Sequence, residues 1–372
     1  MSPISNLESK ISDITKYLEN LAPLPYQEDY DNAGLIVGNP NTIVTGVLVC
    51  LDSTEEVIDE AIHLGCNLVV AHHPIIFRGL KKLTGKNYIE RTIIKAIKND
   101  IAIYATHTNL DNVSGGVNFK IAEKLQLQNV RILAPKKHQL NQMVVFVPQT
   151  HTAQVANALY EAGAGEIGNY DHCSFKVNGV GTFRPKENAN PFVGTINQDE
   201  NVSEDRLELI FPSFLNSRIT AAMLAAHPYE VPAYNIYALE NHNSEIGSGV
   251  VGILAEPMEA LDFFVYIKKN MAVQIIRHTE LLDKPVQRVA VCGGSGGFLL
   301  NHAIGAKADV FITADYKYHE FFDADKQIII ADIGHYESEQ YTKELLQDYI
   351  YKKFTNFAVH LSKTNTNPIN YH

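Results

Sequence analysis

The sequence predicts an α/β fold: one domain in two sequence halves around a mainly parallel sheet, interrupted by an inserted ferredoxin-like α+β domain. Three observations predict it. Apolar strand-like runs alternate with amphipathic stretches from Thr45 to about Gln128, the pattern of a parallel sheet with helices on its faces. The alternation breaks after Ala134 and returns after Gly249. The stretch between reads β-α-β-β-α-β, the ferredoxin-like order. The expected limits are residues 1–134 with 245–372 for the α/β domain and 135–244 for the insert.

In chain order, Ser5 to Glu8 has capping-box spacing. Leu7, Ile11, Ile14, Leu18 and Leu21 recur in steps of four and three, which predicts an amphipathic helix. TGVLVCLD is a strand ending at Asp52, and Ser53 is the expected cap of the helix STEEVIDEAIHLG. NLVVAHHP is the next strand, followed by a helix over Ile89–Lys98. IAIYATHTNLD is the third, with VNFKIAEKLQL the helix after it.

In the insert, NQMVVFV is a strand, HTAQVANALYEAG a helix, and CSFKVNGVGTF two strand pieces around Gly179 and Gly181. The polar stretch KENANPFVGTINQDENVSED reads as a loop or hairpin arm. RLELIFP, a helix over Ser213–Ala226 and PAYNIYAL complete the insert, and NHNSEIGSG is a linker. In the second half LDFFVYIKKNM is helical, and RVAVCGGSGG is a strand with a glycine-rich exit. DVFITADYKYHE and QIIIADIGHYESE are two more strands. A helix over Ser338–Phe354, the apolar segment FAVHL and the tail SKTNTNPINYH close the chain; the tail is disordered by composition unless Pro368-Ile369 pins it down.

A length of 372 residues suits about two or three domains, and 45% hydrophobic with 20% charged residues is ordinary globular composition. The net charge of −11 argues against duplex nucleic acid as a partner. An anionic substrate remains compatible, because bound divalent cations invert the local field. Cys50, Cys66, Cys173 and Cys292 lie far apart with no CxxC. They fit small core residues in a reducing cytoplasm, neither a disulfide framework nor a zinc-thiolate site. The N-terminus lacks the continuous apolar stretch of an export signal, and no run reaches membrane-spanning length. The expectation is a soluble cytoplasmic protein with no membrane partner.

The chemistry concentrates where strands end. LVVAHHP (68–74), IAIYATHTNLD (101–111) and QIIIADIGHYESE (327–339) are apolar runs that close on histidine and carboxylate. Carboxyl ends of parallel strands face a common crevice, where ligands bind. His72 and His73 are adjacent and share a site only if the strand ends there, as Pro74 implies. His107 with Asp111, and His335 with Glu339, are four apart, on one face of a helical first turn. His72, His73, Asp111, His335 and Glu339 thus make five candidate metal ligands, with His107 a sixth. A catalytic zinc uses about three protein ligands, so the count favours two divalent ions, Zn, Fe, Mn or Co. CGGSGG (292–297) is either an anion cradle or a tight turn needing positive φ. Asp315 and His319 follow ITA and are expected to support a ligand or act as acid and base. Arg78, Lys81 and Lys82 either meet phosphate or form a solvated surface run.

With these residues in place, the chain resembles the GTP cyclohydrolase I type 2 homologue family of dinuclear metal-binding proteins. The matching stretches are DNAGLIVG, AHHPIIF, THTNLD, CGGSGG, TADYKYHE, GHYESE and TNPINY. The resemblance implies that His72, His73, Asp111, His335 and Glu339 hold two metal ions, with Glu339 bridging. GEIGNYDHCSF and GVGTFRP resemble the PII/CutA-like domain inserted in longer bacterial members. Tyr30 stands where the family often has Trp. Also implied is a toroidal homohexamer, a trimer of dimers, with its metal sites facing an internal cavity. The implied activity is a hydrolase of GTP or another nucleotide that opens the guanine imidazole ring and releases formate. In that reading His107 or His319 shuttles the proton. The alternatives are another dinuclear hydrolase, of phosphoesters or amides, and a non-catalytic metal-binding or regulatory hexamer.

Overall fold

The computed structural model describes residues 8–372, which divide into two compact units, 8–135 with 244–372 and 136–243. The strands, in chain order, begin with β1 (Gly34–Val37), β2 (Gly46–Cys50), β3 (Leu68–Ala71), β4 (Ala102–Ala105) and β5 (Gln128–Pro135). The unit 136–243 holds β6 (Leu140–Pro148), β7 (Phe175–Phe183), β8 (Glu200–Pro212) and β9 (Tyr234–Ala238). Then come β10 (Gly247–Met258), β11 (Arg277–His278), β12 (Val286–Ser295), β13 (Val310–Ala314), β14 (Ile329–Asp332) and β15 (Ala358–Leu361).

The larger unit is mixed α/β, and it contains two sheets where the alternation pattern predicts one. Their orders are β1-β4-β3-β2-β15 and β11-β14-β13-β12-β10-β5. The central pairs β15-β2-β3-β4 and β12-β13-β14 are parallel, while β1, β5, β10 and β11 pair antiparallel. The halves also exchange strands: β15 from the end of the chain joins the first sheet, and β5 joins the second. One face of each sheet enters a shared core, with Val47, Val49, Val70 and Tyr104 from the first and Val289, Val291, Ile312 and Ile329 from the second. Helices Glu55–His63 and Tyr88–Lys98 cover the other face of the first sheet. The strands β2, β3 and β4 are buried on both faces, which is why they read as unbroken apolar runs.

Several local expectations change. The first helix is Ile11–Leu21. Ser5 and Leu7 lie outside the described residues, and Ser9–Lys10 is extended because it pairs with Ile43–Val44. Thr54, not Ser53, caps the helix Glu55–His63, accepting from the Val57 amide at 3.3 Å. The helix expected over 338–354 is two helices, His335–Glu339 and Thr342–Tyr351. The tail is ordered: Glu60 accepts from Ser362 Oγ at 2.6 Å, the Lys363 amide at 2.8 Å and Thr364 Oγ1 at 2.8 Å. Cys50, Cys66 and Cys292 are buried free thiols, whereas Cys173 is only half-buried.

The unit 136–243 has one antiparallel sheet, ordered β7-β8-β6-β9, and helices Thr152–Glu161 and Asn216–Ala226. Its core is Met143, Val145, Val147, Leu159, Leu207, Phe211 and Met223. Phe175–Phe183 is one continuous strand, not two pieces, paired along its length with β8. Gly181 permits this, because a Cβ there would lie 2.1 Å from Glu204 Oε2 on the neighbouring strand. No helix among the described residues is long and apolar enough to cross a membrane.

Candidate metal centre

Register brings the first three contributors together. Cys50, Ala71 and Ala105 are aligned neighbours at the ends of β2, β3 and β4. The next residues on those strands therefore emerge side by side. After Ala71 the chain curls, with the His72 and His73 amides both donating to the Leu51 carbonyl, at 3.1 and 2.9 Å. This curl lets consecutive histidines face one site, their ring centroids 4.8 Å apart. From the second sheet, β13 and β14 end at Ala314 and Asp332, and the helix His335–Glu339 starts three residues after Asp332.

Four imidazoles gather there, each fixed from behind through Nδ1. His72 Nδ1 donates to the Thr106 carbonyl at 2.8 Å. His73, His107 and His335 donate to Asp52, Asp31 and Asp315, each at 2.7 Å. Such a bond orients the ring and turns Nε2 toward the site, where it offers a lone pair to a metal once its proton is displaced. The His73 and His335 Nε2 atoms lie 3.0 and 3.1 Å from Glu339 Oε2. His72 Nε2 lies 3.8 Å from the same oxygen and 3.7 Å from Asp111 Oδ1. His72 Nε2 and Asp111 Oδ1 are both buried without a hydrogen-bond partner. Unpaired buried polar atoms cost stability, so this arrangement calls for a cation. The His72, His73 and Glu339 ligand atoms all lie within 4.8 Å of one another, close enough to hold one metal ion.

The electrostatics point the same way. Burial opposes charge on His73, but hydrogen bonds to Asp52 and Glu339 push its pKa up to about 9. Burial likewise opposes charge on His335, and Asp315 with Glu339 push it up to about 11. Glu339 is itself buried, yet His335, His72 and His73 hold its carboxyl well below the usual range. Asp111 moves the other way, raised by burial and by the Glu339 charge. Two carboxylates and several lone pairs around one point attract positive charge, which protons or divalent ions can supply. Burial, with the Asp111 and Glu339 charges, keeps the Cys292 thiol protonated, which leaves a donor set of nitrogen and oxygen.

The glycine-rich exit of β12 is the tight turn rather than the anion cradle. Its amides are already taken: Gly293 by Asn118 Oδ1, Gly294 by Ser338 Oγ and Gly296 by Thr313 Oγ1, at 2.9–3.0 Å. Gly294 has φ +58°, and a Cβ there would lie 2.6 Å from Glu339 Oε1. The turn thus lets backbone approach the central carboxylate.

The structure brings together His72, His73, His107, Asp111, His335 and Glu339, with Asp315 behind His335. It does not bring His319 to them. That side chain is exposed on the turn Tyr318–Ala324, its ring against Tyr318. No hydrogen bond or ion pair among the described residues joins His319 to the cluster, so it gains no geometric support as a proton shuttle. Arg78, Lys81 and Lys82 are exposed. Asp31 and Asp52 are the contributors that sequence reasoning missed. Asp31 also accepts from the Thr108 amide and hydroxyl, and its pKa falls to about 2 because hydrogen bonds from His107 and Thr108 outweigh burial. Their signal was present, since Asp52 ends an apolar strand and Asp31 opens DNAGLIVG.

Comparison with known proteins agrees over nearly the whole chain. A family model described as Duf34/NIF3 (NGG1p interacting factor 3) matches residues 9–368. A Halalkalibacterium halodurans protein named GTP cyclohydrolase 1 type 2 homolog is 41% identical over 363 residues, covering 96% of this chain and 98% of that one. The Bacillus subtilis protein of the same name is 40% identical over 364 residues, covering 96% and 97%. The crystal structure of a Bacillus cereus protein related to NIF3 superposes with a TM-score of 0.85 at 40% identity, covering 99% of this chain and 100% of that one.

Proposed function

The chain belongs to the Duf34/NIF3 family, and on that premise we propose that its histidine-carboxylate cluster is a dinuclear metal centre serving a hydrolase of the GTP cyclohydrolase type. One observation carries the reading. Four imidazoles are tied back through Nδ1, and His72 Nε2 and Asp111 Oδ1 are left buried and unpaired. The ligands in this reading are His72, His73, Asp111, His335 and Glu339. Glu339 would be the residue shared between the ions, a role supported by the approach of three Nε2 atoms to its oxygen Oε2. Two divalent ions held there would supply Lewis acidity and lower the pKa of water toward neutrality.

The chain's own groups supply the rest. Asp52 and Asp315 hold His73 and His335 at fixed angles. His107 stands 5.4 and 5.5 Å from the His72 and His73 rings, centroid to centroid. Anchored by Asp31, it is placed to carry a proton to or from a substrate held beside the cluster. For GTP the reaction would be hydrolytic opening of the guanine imidazole ring with release of formate. The test is formate release from GTP by metal-replete protein, with Glu339→Gln as the inactive control. Two bound metals without formate would leave the metal centre standing and remove the cyclohydrolase assignment.

We also infer that 136–243 is an inserted ferredoxin-like, PII/CutA-like domain. Its β-α-β-β-α-β order and its β7-β8-β6-β9 sheet support this. Replacing it with a Gly/Ser linker should leave a soluble chain that binds metal, measured by elemental analysis. An insoluble or non-cooperatively unfolding product would count against it.

A further inference from the structure

We propose that the C-terminal tail is a working part of the metal centre, with Thr366 as a positioning residue that acts on His73 through Asp52. The proposal rests on reading the cluster as a metal centre. The tail leaves β15 in extended form, with the Ser362 amide on the Val49 carbonyl at 2.8 Å. From there Ser362, Thr364 and Thr366 turn inward while Lys363 and Asn365 are exposed, the two-residue period of extended chain. The first two hydroxyls fasten the tail to Glu60.

The third hydroxyl reaches the site. Thr366 Oγ1 donates to Asp52 Oδ2 at 2.6 Å, and Asp52 Oδ1 accepts from His73 Nδ1 at 2.7 Å. Next along, Asn367 Nδ2 donates to Glu337 Oε1 at 3.0 Å, and Glu337 is buried on the helix that carries His335 and Glu339. Two adjacent tail residues therefore touch the two segments that deliver the central ligands. A carboxylate held at one oxygen can still rotate about its own bond. Held at both, Asp52 presents a fixed plane to His73, and His73 presents Nε2 at a fixed angle to Glu339. Partners one step behind a metal ligand commonly change affinity by about 10–100-fold. Thr366 is one step further back, so the lower end of that range is expected.

The experiment is metal titration of the full chain, with Zn2+ in competition with a chromophoric chelator and Co2+ followed by its visible absorption. Wild type is compared with Thr366→Val, Thr366→Ser and Lys363→Ala. Thr366→Val keeps the shape but removes the hydroxyl, and should weaken one binding step about tenfold and alter the Co2+ spectrum. Thr366→Ser should restore both, Lys363→Ala should match wild type, and the melting temperature of metal-free protein should stay the same across the set. If wild type binds two ions and Thr366→Val binds them equally well, the tail inference alone is wrong. It is equally wrong if both steps weaken together with the metal-free melting temperature, or if Thr366→Ser fails to restore binding. If wild type binds neither ion, the metal-centre reading falls first and takes this inference with it.

Discussion

His72 in the larger unit and His227 in the unit 136–243 are both hidden, at 0% and 7% exposed, yet only one is left with work to do. His227 uses both nitrogens inside its own unit. Nε2 donates to the Phe146 carbonyl at 2.9 Å, and Nδ1 accepts from the Tyr229 amide at 3.0 Å. His72 commits Nδ1 to the Thr106 carbonyl and keeps Nε2 unpaired, facing two carboxylates. Burial therefore does not distinguish these two histidines. The unpaired Nε2 facing two carboxylates does, and it is what makes His72 a candidate ligand.

The largest effect that bears on this contrast is expected at Glu339. Glu339→Gln keeps the volume but removes the charge that three imidazoles converge on, so both ions should be held more than about 100-fold less tightly. Elemental analysis after gel filtration reads this directly. Retention of two tightly held ions would shift the bridging role to Asp111. His73→Ala should be milder, depleting mainly one of the two ions, since one ring nitrogen serves one ion.

His227→Ala sharpens the comparison from the other side. It should leave metal content unchanged and lower stability by about 1–3 kcal/mol through unpairing of the Phe146 carbonyl and Tyr229 amide. Urea titration of the full chain measures the cost, and a loss of metal would break the contrast.

A smaller effect concerns pH. Burial is the main reason that the His227 pKa lies below its ordinary value. Between the folded value and about 6.5 the unfolded chain binds a proton that the folded chain does not, so stability rises with pH there. The contribution is complete above that ordinary value and is lost as pH falls through the folded one. His227→Ala should flatten this slope in unfolding curves at about pH 5 and pH 7.

Features legible in the sequence and features that are not differ in how far away the deciding partner lies. The strand ends were legible because β2, β3 and β4 are buried on both faces, and an apolar run that stops at His-His-Pro or His-Thr announces its own limit. Asp52 was in view as the end of such a strand, but its role was not. That role depends on the Cys50–Ala71 register, a long-range pairing with no local signature. Asp315 and His319 looked equivalent, four residues apart. The backbone at Asp315, with φ +54°, and the turn that follows send one toward His335 and the other to solvent.

Chemistry, then, was written in the sequence, and connection was not. By itself the sequence determined the α/β alternation and the nitrogen and oxygen donors at strand tips, since periodicity and residue type are local properties. Only the tertiary structure decided whether CGGSGG is a cradle or a turn, because the atoms that take its amides lie 175, 44 and 17 residues away. It also decided the fate of the tail. A polar segment with little apolar surface to bury has no reason of its own to be ordered. The carboxylates that order it, Glu60 and Asp52, belong to the other end of the chain.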